Sequence, residues 1–588
     1  MPPTLPGANA GLDDFNVRPW QYLALRVAPE PWQEVDSLLV VAEMYSMLQG
    51  RAIEQSFADA VLREKVGDAI FQWLKPRGGS WDAALDDSVM PNYPMPTAAQ
   101  LDVRNTESQK TSTVQLHESD IGSNAWAVSG AHTSHGGAML SNDMHLGLQV
   151  PNIWFRAQLN VKDTNRLIVG VTLPGLPGVV VGSNGDIAWG FTNSYGRWFD
   201  WVEAKGLPQQ EITETIRVKG EADVTLKIRE TALGPIAKSH NGRDYALAWV
   251  AYLPSAINLK ATAVASAATV DAALAVMQGA GLPHQNFFVA DKRGNVAWTI
   301  AGVMPNRNTS SLDAPRAGFT STKDATYTPL ATNLYPTVRQ AKIWSGNNRQ
   351  LGGDNGALIG DGGFDLGARG QQMRDRLIAT DKFSEQTLLN IQYDNEAKFL
   401  TRWATLLKTI TTSEADLQAQ LTKWNGRADI DQVGYHLIRA FRAKVHEQCW
   451  KAWLTSLDPS LTKTAIADAR LEYAVWQAVS EKPAHLLPKP FTTWDDFLRA
   501  QINTVRDELI KAHGSIAAAT WGQRNKTMVK HPFSRFIPAL APYLDMPATP
   551  QSGDSHMPSV AAPTFGASQR LSVSPGREQD GILTMPAG

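Results

Sequence analysis

A single cysteine, Cys449, stands among 588 residues, so the chain has no internal disulfide and no thiolate metal cluster. Net charge is almost absent too: 55 Lys and Arg against 57 Asp and Glu leave −2. No global basic field is therefore available for nucleic acid or an anionic membrane, and a small molecule is the expected partner. Long apolar runs are missing. The longest, "LIVGVTLPGLPGVVVG", is broken by Pro and Gly short of a membrane span. The first residues, "MPPTLPGANAG", lack the basic and apolar regions of a signal peptide, so the chain reads as soluble and unaddressed. Several catalytic signatures fail as well. "HEQCW" lacks the second His of a zincin, and "GDSHM" at Ser555 misses the last Gly of a nucleophile elbow. "SLTK", Ser460 to Lys463, has Ser-x-x-Lys spacing without its companion motifs, and no Walker loop occurs.

What is present is a globular composition, 43% hydrophobic, enough for a large core divided into lobes. Residues 33–75 carry apolar residues at three- and four-residue spacing, which predicts a long helix or a helical pair. From about Lys75 to Gly122 this gives way to a Pro/Gly-rich and then Ser/Thr/Gln-rich linker. Short β-type runs between turns fill 123–204, with further strands expected in 210–250 and in 286–302, where "DKRGN" is a hairpin turn. Helical spacing returns over 382–515, and a last strand-like piece, "QRLSVSP", follows. The order implies an α+β fold.

One stretch stands out. In "HESDIGSNAWAVSG" a polar, turn-like run ends at Gly122 and an alternating strand begins at Ser123. A serine that becomes the first residue of a chain carries nucleophile and base together, because its own α-amine can take the hydroxyl proton. Taken alone, Gly-Ser-Asn is more simply a turn entering a strand.

Its surroundings change the balance. "SNAWAVSGAHTSHGGAMLSNDMHLGLQVPNIWF", "LPGLPGVVVGSNGDIAWGFTNSYGRWFDWV" and "IWSGNNRQL" occur in the order found in the penicillin acylase family of N-terminal nucleophile (Ntn) hydrolases, which the chain resembles from "PEPWQEVDSLLVV" to "SVSPGR". The resemblance implies a four-layer αββα Ntn sandwich with helical additions. It also implies autoproteolysis between Gly122 and Ser123, giving an α/β heterodimer from one precursor. On that pattern 1–99 is the end of the α chain and 100–122 the spacer. The β chain, 123–588, then holds the core (123–380), a helical arm (381–515) and a C-terminal segment (516–588).

The same resemblance implies roles for single residues. Ser123 is the nucleophile, and His145 in "NDMHLG" orients its amine. Asn347 in "SGNNR" donates to the oxyanion from its side chain, Asn193 in "GFTNS" from its backbone, and Arg369 in "LGARGQQM" holds the polar network. Without it, each is more often an ordinary packed, turn or surface residue. Trp126, Trp154 and Phe155 are candidate linings of an apolar acyl pocket, although strand aromatics usually belong to the core. The implied activity is hydrolysis of a linear amide of the EC 3.5.1 type in the periplasm, with no cofactor for the chemistry.

A structural Ca²⁺ is common in the family, and Glu54 and Asp200 match two of its ligands. Arg197 stands where a further aspartate would be, so the expectation is that its guanidinium replaces the ion by pairing with both acids, ordinary surface charges being the other reading. The family precursors extend further at both ends, so the chain reads as truncated. The competing hypothesis is thus an unprocessed or inactive member that is at most a ligand-binding protein.

Overall fold

The computed structural model describes residues 4–15, 17–105, 122–307, 318–320 and 328–586, so most of the expected spacer, 106–121, lies outside the described residues. Helix Glu34–Leu74 opens on a capping box in which Gln33 and Asp36 satisfy each other's backbone N–H. Val41, Tyr45, Gln49 and Ile53, four residues apart, are buried along one face. At Gly67 the backbone turns left-handed (φ 77°), and the next turns bury Ile70, Phe71, Trp73 and Leu74. The predicted alternatives are therefore both met, one helical run with a break. Residues before the break pack on a sheet core, and those around and after it on a second core of helices.

The sheet core comes from two stacked seven-stranded sheets. In the first, Gly122–Val128 runs between Lys342–Ser345 and Met139–Gly147, with Phe565–Ala567 and Arg570–Val573 on the far side of the latter. In the second the order is Thr337–Val338, Val296–Ala301, Gln285–Asp291, Ile187–Asn193, Val181–Ser183, Arg166–Thr172 and Phe155–Val161. The expected 291–295 hairpin turn joins two of these strands, and the predicted last strand is Arg570–Val573. Helices Ala368–Ala379 and Glu385–Gln392 contact the first sheet, and Val270–Met277 contacts the second, which makes four layers, αββα. A six-stranded sheet that includes Phe199–Glu203 and Arg243–Trp249 is added to this sandwich.

Polar side chains tie the stacked sheets together at one level. Asn142 donates to the carbonyl oxygens of Asn124 (2.6 Å) and Phe191 (2.9 Å), and its own oxygen accepts from Phe191 N–H (3.2 Å). Its amide thus continues the backbone ladder from one sheet to the other. Gly190 makes room for it, since a Cβ there would meet Asn142 Oδ1 at 2.9 Å. Thr192 and Ser345 bond across the same gap at 2.8 Å.

His284 and His436 are among the histidines buried without charge. His284 is stacked on Trp198 and bonded to the Val303 carbonyl, and burial drops its pKa to about 3. Burial likewise lowers His436 to about 4. The unfolded chain protonates such groups near pH 6.5 and the folded chain does not. Their contribution to stability is therefore complete above pH 6.5 and shrinks as pH falls toward 4, by roughly 1.4 kcal/mol per unit for each group. Urea unfolding should give a lower midpoint at pH 5 than at pH 7; equal midpoints would contradict the neutral burial of both rings.

Candidate active site

Strand pairing fixes the site. Gly122 lies opposite His145, Ser123 opposite Met144, and Asn124 opposite Asp143. Because side chains alternate along a strand, Ser123 and Gly122 face opposite sides of the first sheet. Ser123 points between the sheets, toward Asn193 and Phe191, whereas Gly122 and His145 face the helical side.

The polar groups converge on the backbone of Ser123. Its N–H donates to Asn347 Oδ1 at 2.6 Å, and its carbonyl accepts from Arg369 Nη1 at 2.6 Å. Arg369 also donates to Asn124 Oδ1 (2.8 Å), Asn347 Oδ1 (2.9 Å) and Asp365 Oδ2 (3.1 Å). Asn347 Nδ2 donates to the Asn193 carbonyl at 3.0 Å. Asn347 holds a left-handed backbone (φ 64°), a conformation that Asn tolerates better than most residues, just after strand Lys342–Ser345. Ser123 Oγ is hydrogen-bonded to the Gly122 carbonyl oxygen, so the hydroxyl lies against the peptide bond that precedes it.

His145 is fully buried, and its Nε2 lies 2.7 Å from Asp143 Oδ2. Burial holds its pKa below the ordinary value, and Arg369 adds to this, while Asp143 opposes both. With Asp143 as acceptor, Nε2 carries the proton and Nδ1 keeps a lone pair. That Nδ1 has no hydrogen-bond partner, and it lies 3.3 Å from where a side chain on Gly122 would begin. His145 is thus across the strand pair from Gly122 and out of line with the Ser123 hydroxyl.

The Ser123 side chain borders a cavity of about 130 Å³ between the sheets and the long helix. Val41, Met44 and Leu48 enter it from the helix, Trp154, Phe191 and Met277 from elsewhere in the sandwich, and no charged residue is among the described lining. The three expected aromatic residues divide here. Trp154 lines the cavity, with its indole N–H satisfied by Ser568 at 2.9 Å. Trp126 does not, because it lies an odd number of residues from Ser123 and is buried on the opposite face of the strand. Phe155 does not either: it begins an edge strand and is 64% exposed. Sequence reasoning missed Met44, Leu48 and Asp143. The first two were legible as one helical face; nothing in the sequence marked Asp143 as the partner of His145.

The candidate calcium residues fall into two different ion pairs. Arg197 Nε pairs with Asp200 Oδ1 at 2.6 Å, and Arg307 lies 3.6 Å from the same carboxylate, whereas Glu54 bonds Lys238 at 2.5 Å. The expected Arg197 bridge between both acids is corrected to two separate pairs. Cations already hold both carboxylates, so the residues do not fit a hard dication. Among the described residues no cluster of three or more His, Cys, Asp or Glu is arranged for a metal, and no helix is long and apolar enough to cross a membrane.

This fold is that of the Ntn hydrolases: the chain matches thermostable penicillin G acylase from Alcaligenes faecalis with a TM-score of 0.56 at 16% identity, over 79% of this chain and 90% of that one. Residues 5–588 match the Penicillin amidase family, and the chain belongs to it. It is similar to the acyl-homoserine lactone acylase QuiP of Pseudomonas aeruginosa, with 23% identity over 520 residues, 80% of this chain and 60% of that protein. It is also similar to the penicillin acylase 2 proenzyme of Pseudomonas sp. strain SE83, with 22% identity over 590 residues, 93% of this chain and 73% of that protein. The chain spans about 60% of the length of the first of these relatives.

Proposed function

We propose that the protein is an amide hydrolase whose nucleophile is Ser123, freed as an N-terminus by cleavage after Gly122. The observation that carries this reading is the convergence of Asn347 and Arg369 on the Ser123 backbone while its hydroxyl borders an apolar cavity. In the uncut chain the hydroxyl, hydrogen-bonded to the Gly122 carbonyl oxygen, attacks the carbonyl carbon of that residue. The C–N bond breaks as the acyl group passes to Oγ, and water then hydrolyses that ester, leaving a Gly122 carboxylate and a free Ser123 amine. The products stay together as an α/β heterodimer.

The same serine then acts on substrate. Its amine, with an ordinary pKa of about 7.7–8.0, takes the hydroxyl proton directly or through water. Oγ attacks the amide carbonyl, the protonated amine half leaves, and water releases the acid. The His145 Nδ1 lone pair is suited to accept an N–H from the amine and aim it. Asn347 Nδ2 and the Asn193 N–H are the donors assigned to the oxyanion. The uncharged lining suits an aliphatic or aryl acyl group better than a dicarboxylic one, whose second charge would be buried unpaired. A periplasmic site of action goes with this reading; the one cysteine is buried and its thiol pKa raised by burial, which is compatible with an oxidising and a reducing compartment alike.

The test is the intact mass of the purified protein under denaturing conditions. A fragment beginning Ser-Asn-Ala-Trp supports the reading, and turnover of N-acyl amides should follow. A single 64.2 kDa chain without turnover favours the unprocessed, ligand-binding alternative. We also propose that guanidinium and ammonium groups replace calcium: calorimetry should register no Ca²⁺ binding, and dialysis against a chelator should leave the melting temperature in place. Tight binding would sink this part of the reading.

A further inference from the structure

Behind His145 lies a fully buried carboxylate. Asp143 is in strand Met139–Gly147, opposite Asn124 and two residues before His145, so its side chain shares the His145 face. Its Oδ2 lies 2.7 Å from His145 Nε2 and accepts from Asn124 Nδ2 at 3.1 Å, while Oδ1 has no hydrogen-bond partner. The Asn124 amide is held one way round: its Oδ1 accepts from Arg369 at 2.8 Å, and its Nδ2 donates to the Pro558 carbonyl at 2.8 Å. That amide nitrogen stands 3.3 Å from His145 Nε2. Two neighbours thus compete for one ring nitrogen and ask opposite things of it. Asp143 requires a proton on Nε2, whereas Asn124, a donor there, requires a lone pair. The shorter contact is to the carboxylate, and it selects the Nε2–H form.

We propose that Asp143 is a positioning residue that keeps the His145 Nδ1 lone pair turned to the Ser123 amine, so that the amine's own lone pair stays free for the hydroxyl proton. The inference rests on the Ser123 reading above. A neutral α-amine has two N–H groups and one lone pair. Asn347 Oδ1 takes one N–H, as it does in the uncut chain, and His145 Nδ1 takes the other. The lone pair is left to accept from Oγ directly or through water. In the opposite tautomer Nδ1 carries the hydrogen and donates it to the amine lone pair, which blocks the base without changing the shape of the site. The tautomer matters only after cleavage. Before it, the Ser123 nitrogen is a peptide amide whose electrons are delocalised and whose one hydrogen lies on Asn347, so Nδ1 has no base to mask.

The first readout needs no variant: imidazole nitrogen NMR shifts of the cleaved protein should place the proton of neutral His145 on Nε2, and a proton on Nδ1 overturns the proposal. Asp143→Leu is close in size, removes both oxygens and leaves Asn124 alone with Nε2. It should cleave after Gly122 at within about threefold of the wild-type rate, yet lose about 10²-fold or more in kcat for octanoyl para-nitroanilide, with KM little changed and the proton moved to Nδ1. Asp143→Asn returns an oxygen to the Oδ2 position, where His145 and Asn124 both donate to it, and should recover kcat to within about tenfold of wild type. Because Asp143 acts through the ring, Asp143→Leu should add no more than about twofold to the loss caused by His145→Ala. Cleavage and turnover lost together in Asp143→Leu, losses that multiply in the double variant, or full kcat in Asp143→Leu would each overturn the proposal while leaving the nucleophile in place. A wild type that neither cleaves nor turns over amides rejects the Ser123 reading, and this inference with it.

Discussion

Ser123→Ala should leave the purified protein as one 64.2 kDa chain and lower amide turnover by about 10⁴-fold or more. The variant should still fold. The two bonds that fix this position, to Asn347 and from Arg369, belong to the backbone and survive the substitution. Only Oγ is lost, a small group at a residue 4% exposed, so the melting temperature should move by a degree or two at most. A large loss with an unchanged melting curve therefore assigns the effect to chemistry. Cleavage that persists in Ser123→Ala, or hydrolysis at the wild-type rate, would reject Ser123 as nucleophile. Ser123→Cys is the companion: a thiol at the same place keeps a nucleophile next to the amine and should retain some cleavage.

Asn347→Ala should lower turnover by about 10²–10³-fold, the usual cost of removing one oxyanion donor. It should also destabilise the protein. Asn347 Oδ1 is the acceptor for both Ser123 N–H and Arg369 Nη2, and Nδ2 satisfies the Asn193 carbonyl. Each buried group left unpaired costs about 1–3 kcal/mol, and alanine at φ 64° adds roughly 1 kcal/mol of backbone strain. Asn347→Asp separates the two effects. It keeps the oxygen for Ser123 and Arg369 and tolerates the left-handed backbone, but it cannot donate to an oxyanion when ionised. Melting should therefore stay nearer wild type in Asn347→Asp while turnover falls as in the alanine variant. Full kcat in either variant would remove Asn347 from the oxyanion site.

Much of the fold was legible because it is local. Three- and four-residue apolar spacing marked the long helix, and the Gly-Asn-rich punctuation of 123–204 marked its strands. The Ser123 strand was visible as alternation. Its assignment to a site came from the ordered motifs rather than from periodicity. Other features depend on partners far along the chain. Glu54 binds Lys238, 184 residues away, and so is unavailable to Arg197. Asn142 lies against Gly190 only because two sheets stack there.

The sequence by itself determined that Ser123 starts a strand, that Trp126 lies an odd number of residues from it, and that Val41, Met44 and Leu48 share a helical face, since these follow from fixed backbone periods. The tertiary structure decided which face of that strand meets the apolar cavity and which meets the helical side, and so which of Trp126 and Trp154 lines the cavity. Those outcomes turn on how the sheets stack and which helices cover them, and strand alternation reads the same whichever way a face is turned.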